Sequence, residues 1–258
     1  MTNLPELAHP PIAEVVYGMG FKPLPLLKSA HLGLFWSRYR DRYVTAEDML
    51  PVVEPPVAGA PVAVIAMGMP RVWFVDATKT RLLQLQADRL FMNWRQTKPD
   101  DEYPRFPALY KDFGDFTHDF AQFLKEQNVG ELSPTTLELG YINQIYERDG
   151  LKLPADVGRV FKPLAWNRDA YQRLSDPSEL AWRASFVRSS GIKVNAQAAM
   201  GIRQSDSAPV LQLDIRAVSQ FTGGALESAL TFYPLAHEEV VLGFFDLTPE
   251  EAQKTFWS

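Results

Sequence analysis

The stretch RLLQLQADRLFMNWRQTKPDDEYPRFPALYKDFGDFTHDFAQFLKE, residues 81–126, changes its hydrophobic period partway along, and that change decides the fold class. Arg81 to Gln86 and Leu90 to Arg95 are short β-forming runs. Their alternation shifts phase across Ala87–Arg89, as expected when a chain reverses to pair with itself. From Phe106 to Glu126 the apolar residues recur instead at three- and four-residue steps. Phe106, Leu109, Tyr110, Phe113, Phe116, Thr117, Phe120, Phe123 and Leu124 form one stripe, with Asp112, Asp115, Asp119 and Lys125 off it. A stripe this aromatic needs a broad apolar sheet face beneath it, and each large side chain buried there contributes roughly 1.5–3 kcal/mol. The expected class is α+β: antiparallel meander sheets packed against long amphipathic helices.

The same signals extend outward. Ile12–Phe21 predicts a strand, ended by Pro23 and Pro25, and Leu26–Tyr43 an amphipathic helix through Leu27, Ala30, His31, Leu34, Phe35 and Arg38. Leu50–Pro61 is proline-rich and predicts a loop, with Ala58 and Gly59 as hinge residues. Val62–Met67, extending toward Val75, and Thr136–Tyr146 predict strands. Glu147–Ser178 is polar and turn-marked, a connector. Three strands follow at Glu179–Val187, Lys193–Ile202 and Val210–Gln220, with turns at Gly191 and Gln204–Pro209. A helix from Ala225 to Phe245, kinked at Pro234, precedes a short helix to Phe256 that Thr248 caps with Pro249 in its first turn. This divides the chain into an N-terminal α+β half (1–148), a connector (149–178) and a C-terminal meander with helices (179–258). The halves echo one another. Leu82–Gln86 lies in a meander before the helix carrying His118, and Val210–Asp214 in one before the helix carrying His237. Related halves and chance both stay open, since three strands and a helix is a pattern that unrelated domains reach separately.

Composition limits the function. The chain has 258 residues, 46% hydrophobic and 22% charged, with a net charge of -5 and no cysteine. Thiol nucleophiles, disulfides and iron–sulfur clusters are therefore excluded. Without a basic run, nucleic acid is an unfavoured partner. Met1–Pro10 lacks a basic segment followed by an apolar one, and no apolar run approaches the ~20 residues of a membrane span. The expectation is a cytoplasmic protein without a membrane partner. His9, His31, His118 and His237 have no metal spacing, and Gly18-Met19-Gly20 lacks the third glycine of a dinucleotide fingerprint. No nucleophile elbow is present. No catalytic residue, metal or cofactor is expected, which leans away from an enzyme.

One segment stands out chemically. Gln84, Gln86, Asn93, Trp94, Arg95, Tyr103 and Arg105 gather amides, arginines and aromatics over the hairpin and the next helix start, with Asn143 a further polar residue among apolar ones. Arginine forks and aromatic faces serve binding surfaces. They serve equally as braces, with Asn93 and Arg95 locking the hairpin and Trp94 in the core, so both readings stay open.

The run from Leu82 to Arg95, together with Glu102-Tyr103-Pro104-Arg105-Phe106, resembles a sporadically distributed family of conserved hypothetical bacterial proteins of about this length. Pro11–Val16, Leu139–Ile145 and the closing His237-Glu238, Phe245–Thr248 and Trp257 fit the same resemblance. It places Gln84, Gln86, Asp88, Asn93, Trp94, Arg95, Tyr103, Arg105, Tyr141 and Asn143 at signature positions and brings no catalytic residue with it. Its sporadic distribution implies a mobile gene, as in phage defence or toxin–antitoxin systems. The resulting expectation is a non-catalytic protein that binds a partner protein, such as a neighbouring gene's product, with self-association open. The alternative is an enzyme or small-anion receptor with a pocket between sheet and helices.

Overall fold

The computed structural model describes residues 4–52, 69–148, 150–165, 173–174, 177, 179–203 and 207–258. The expected strand at Val62–Met67 and the hinge residues Ala58 and Gly59 lie outside them. Among the described residues the fold is α+β, a mostly antiparallel sheet of nine strands with helices. The strands are β1 (Ile12–Phe21), β2 (Thr45–Met49), β3 (Arg71–Val75), β4 (Arg81–Leu85), β5 (Arg89–Arg95), β6 (Pro134–Tyr146), β7 (Ala181–Val187), β8 (Lys193–Ile202) and β9 (Pro209–Gln220). Their hydrogen-bonded order is β2-β3-β4-β5-β1-β6-β9-β8-β7. The helices are α1 (Ser29–Trp36), α2 (Arg105–Glu126), α3 (Leu226–Leu230), α4 (Phe232–Leu247) and α5 (Glu250–Ala252). None is long and apolar enough to cross a membrane.

The chain divides into two compact units, one of Val16–Leu137 with Gln220–Thr231, the other of Met1–Val15, Glu138–Ser219 and Phe232–Ser258. In the first, the β2-β3-β4-β5 meander presents Phe74, Leu83, Leu85, Leu90 and Met92, all buried, and Phe113, Phe116, Phe120 and Phe123 of α2 are buried with them. Phe35 of α1 sits among these rings, fully buried, with the centroids of Phe120 and Phe123 at 5.2 and 5.1 Å. Gly20 of β1 permits close approach to β6, because a Cβ there would fall 2.1 Å from the Thr136 hydroxyl.

Three expectations about helix ends need correction. The helix placed over Leu26–Tyr43 is α1 alone; beyond Ser37, tight turns carry Tyr39 and Tyr43, and Tyr43 still reaches the core. The helix placed over Ala225–Phe245 divides at Thr231 into α3 and α4, so Pro234 does not kink it. Pro234 instead occupies the first turn of α4, where its missing N–H needs no partner. Thr248 caps nothing: Pro249 is the cap residue of α5, while the buried Thr248 hydroxyl donates to the Phe244 carbonyl at 2.7 Å. The strand β2 was not expected, since Thr-Ala-Glu-Asp-Met has no apolar alternation.

In the second unit, α4 buries Phe232, Tyr233, Ala236, Val240 and Phe244, and the unit's buried sheet residues include Val194, Ala196, Ala198, Leu211, Leu213 and Ile215. Trp257 closes this core with its ring 5.2 Å from that of Phe244. His237 accompanies the buried stripe, its Nδ1 2.8 Å from the Tyr141 hydroxyl. Burial pushes its imidazole down to about 4 from the ordinary 6.5. The unfolded chain therefore takes up this proton first as pH falls, and stability declines from pH 6.5 toward pH 4. A gap of that size amounts to roughly 3 kcal/mol once the pH has fallen below both values. Urea midpoints measured near neutral pH and at about pH 4.5 should differ accordingly, and His237→Gln should shrink the difference; an unchanged difference would assign the acid sensitivity elsewhere.

Candidate binding edge on the terminal strand

The order of the sheet leaves β7 at one end and β2 at the other. An edge strand presents unpaired backbone groups, and charged side chains are a usual protection against unwanted pairing. Exposed Glu47 and Asp48 supply that protection on β2. The second half of β7, Ala184-Ser185-Phe186-Val187, has no charge at all. No residue of β7 is buried; Phe186 is 43% exposed and Val187 80%.

The pairing of β7 with β8 fixes what faces outward. Ala184 lies opposite Ala196 and Phe186 opposite Val194, and just past the strand Arg188 N donates to the Ile192 carbonyl at 2.9 Å. Hydrogen-bonded positions alternate along an antiparallel pair. The backbone of Trp182, Ala184 and Phe186 is thereby directed to β8, and that of Ala181, Arg183, Ser185 and Val187 away from it. Among the described residues, no strand pairs on that side.

Side chains on the two faces of β7 meet different surroundings. Toward α4, Phe186, Val194, Ala196, Ile215, Leu242 and Gly243 line a pocket of about 170 Å³. An apolar cavity of about 150 Å³ takes up one benzene ring, whereas sites for drug-sized ligands start near 300 Å³. The space thus suits one large apolar side chain. At its rim Arg188 pairs with Glu239 at 2.7 Å. On the opposite face, small Ala181 and Ala199 leave an open depression of about 400 Å³ bordered by Arg183, Gln197 and Gln212. Cross-strand register puts Arg183 beside Gln197 and Gln197 beside Asp214. Asp214 bonds to Arg216 at 3.0 Å, and Arg216 reaches Glu138 at 3.0 Å. Gly140 makes room for this guanidinium, since a Cβ there would lie 3.3 Å from the Arg216 Nε.

The residues singled out from the sequence lie elsewhere. Gln84 Nε2 donates to Asn93 Oδ1 at 2.7 Å, and Arg71 donates to Gln84 Oε1 at 3.0 Å; both amides are buried in the sheet. Gln86 clamps Val52, accepting from its N–H at 2.9 Å and donating to its carbonyl at 3.0 Å, and also donates to Asp88. Trp94 is buried, its ring 5.4 Å from that of Tyr103. Arg95 donates to the Lys79 carbonyl at 2.8 Å and lies over the Trp73 ring. Arg105, with φ +66, stacks on Tyr103 at 5.6 Å. Asn143 donates to the Leu213 carbonyl at 3.1 Å, joining β6 to β9. The amides of Gln84, Asn93 and Asn143 thus join strands and that of Gln86 ties the β4–β5 turn to Val52, while Arg95, Tyr103 and Arg105 stay partly accessible. Sequence reasoning passed over Arg183, Ser185, Phe186 and Val187. The signal available was the loss of apolar–polar alternation at Phe186-Val187, with an uncharged stretch on a strand.

Among the described residues, no three histidine, aspartate or glutamate side chains are placed to hold a metal ion. Comparison of the chain with protein-family models, with curated proteins and with solved structures finds no match in any of the three.

Proposed function

We propose that this is a non-catalytic binding protein that takes up an extended segment of a partner protein along β7. The observation that carries this reading is the wholly unburied edge of β7, uncharged over Ala184–Val187, with an apolar pocket of one-side-chain size beside it. An added strand gains affinity from main-chain hydrogen bonds and specificity from pockets that receive alternate side chains. The pocket beside Phe186 is smaller than sites for drug-sized ligands and mostly apolar in lining, which favours an apolar side chain there over a cofactor or a small anion. The mobile locus implied by the family resemblance makes the products of neighbouring genes the first partners to test.

Ser185→Pro removes an N–H directed away from β8 and leaves the β7–β8 bonds in place, as prolines on edge strands do. The variant should keep its melting temperature within a few degrees and lose at least tenfold in affinity for a neighbouring-gene partner that binds the native chain. Equal binding by both proteins would remove β7 as the docking edge.

The reading of two related halves has a topological support. Starting from β1 and from β6, the sheet runs β1-β5-β4-β3 and β6-β9-β8-β7, and each meander is followed by a helix. The matching strands are then β4 with β8 and β5 with β9. The pairing of Leu82–Gln86 with Val210–Asp214 is accordingly out of step by one strand.

A further inference from the structure

We infer that the segment received by β7 carries a carboxylate three positions after its apolar anchor, and that Arg183 binds that carboxylate; this rests on the edge-pairing reading above. Side chains on a strand alternate between faces, and three residues span roughly 10 Å. A residue opposite Phe186 faces α4 and the pocket. The residue opposite Arg183 faces the other side, above the open depression. Three positions is an odd step, so one extended segment presents both groups at once. An antiparallel segment, the sense of every meander pair here, meets Phe186 first and Arg183 three residues later.

Charge decides the chemistry on the open face. Asp214 is taken by Arg216, and so is Glu138, which leaves that trio with two acids sharing one base. Arg183 stands outside it. Its guanidinium has no hydrogen bond or ion pair to any described residue and is exposed. It borders the depression together with Gln212, whose amide can donate to the same anion, and Gln197, whose Nε2 also donates to Asp214 at 3.4 Å. A guanidinium fork with neighbouring amide donors matches a carboxylate. A second copy of this chain fits poorly, because antiparallel self-pairing about Ser185 sets Arg183 opposite Val187 and supplies no acid.

The test uses two fluorescein-labelled peptides. The first is Lys-Thr-Phe-Thr-Val-Glu-Thr-Lys; the second exchanges its valine and glutamate, so that the acid falls on the phenylalanine's face. Anisotropy titration of the full chain should show the first binding roughly tenfold more tightly, the scale of one charge-assisted contact. Arg183→Ala and Arg183→Gln, at an exposed position, should weaken the first peptide alone and erase the difference. Ser185→Pro should weaken both. Equal binding of the two peptides, lost in Ser185→Pro, would overturn the carboxylate inference and leave edge pairing standing. Binding by neither peptide would overturn both. A dimer of the free protein, dissociated by Ser185→Pro in sedimentation, would give the edge to a second copy and overturn the inference as well.

Discussion

Phe35→Ala is expected to lower the unfolding free energy by about 3–5 kcal/mol, the cost of emptying a fully packed aromatic site. The side chain is inaccessible to solvent, and five rings surround it: Tyr39, Phe74, Phe116, Phe120 and Phe123, with centroids 5.1 to 6.5 Å away. These five rings come from the turn after α1, from β3 and from α2. No single neighbour can move into the space without abandoning its own contacts. Set against a typical total of 5–15 kcal/mol, such a loss would leave a marginal protein at ordinary temperatures. Urea denaturation followed by tryptophan fluorescence measures it. A loss below about 1.5 kcal/mol would mean that the aromatic cluster collapses onto the gap and that Phe35 is no keystone.

Arg216→Ala is expected to cost about 2–3 kcal/mol. Removing one member of a buried ionic group strands the others at a cost of about 3–5 kcal/mol. The Arg216 side chain is 30% exposed, which screens part of the effect, while Asp214 beside it is only 10% exposed. Two carboxylates, Glu138 and Asp214, would lose their shared cation, and the Asp214 Oδ1 already has no hydrogen-bond partner among the described residues. Adding Asp214→Asn to Arg216→Ala should restore at least half of the loss, because the stranded charge is what costs. If the double variant is no better than the single, packing of the arginine stem over Gly140 is the larger contribution.

These residues also show what sequence can and cannot convey. The helix α2 was legible because its apolar stripe runs through about five turns without interruption, and β8 because Lys193–Ile202 is bounded by Gly191 and by a polar turn. The run Thr45–Met49 gave no sign of β2, since its place in the sheet comes from β3 rather than from its own side chains. The helix expected as far as Tyr43 stops at Trp36, and Tyr39 and Tyr43 join the aromatic cluster from the turns beyond it. The polar hairpin attracted notice for a sound reason, as Gln84 and Asn93 are uncommon inside a sheet. Sequence could not tell that they bond to each other at 2.7 Å, because that depends on a cross-strand diagonal. The β7 edge escaped for a related reason. Being the last strand of a sheet is a property of the whole topology; the lost alternation at Phe186-Val187 marks an unusual strand without telling that it is the terminal one.

The position of β1 between β5 and β6 has a consequence for how the protein is made. Consecutive meander strands find their partners within a few residues, so β3–β5 and β7–β9 can zip locally as they are synthesised. The first strand must wait while some seventy further residues emerge before β5, and over a hundred before β6. During that interval Val15, Val16, Tyr17, Met19 and Phe21, all destined for the interior, are in water. Transiently exposed apolar surface of this kind is what makes an incomplete chain prone to aggregate and a client of chaperones.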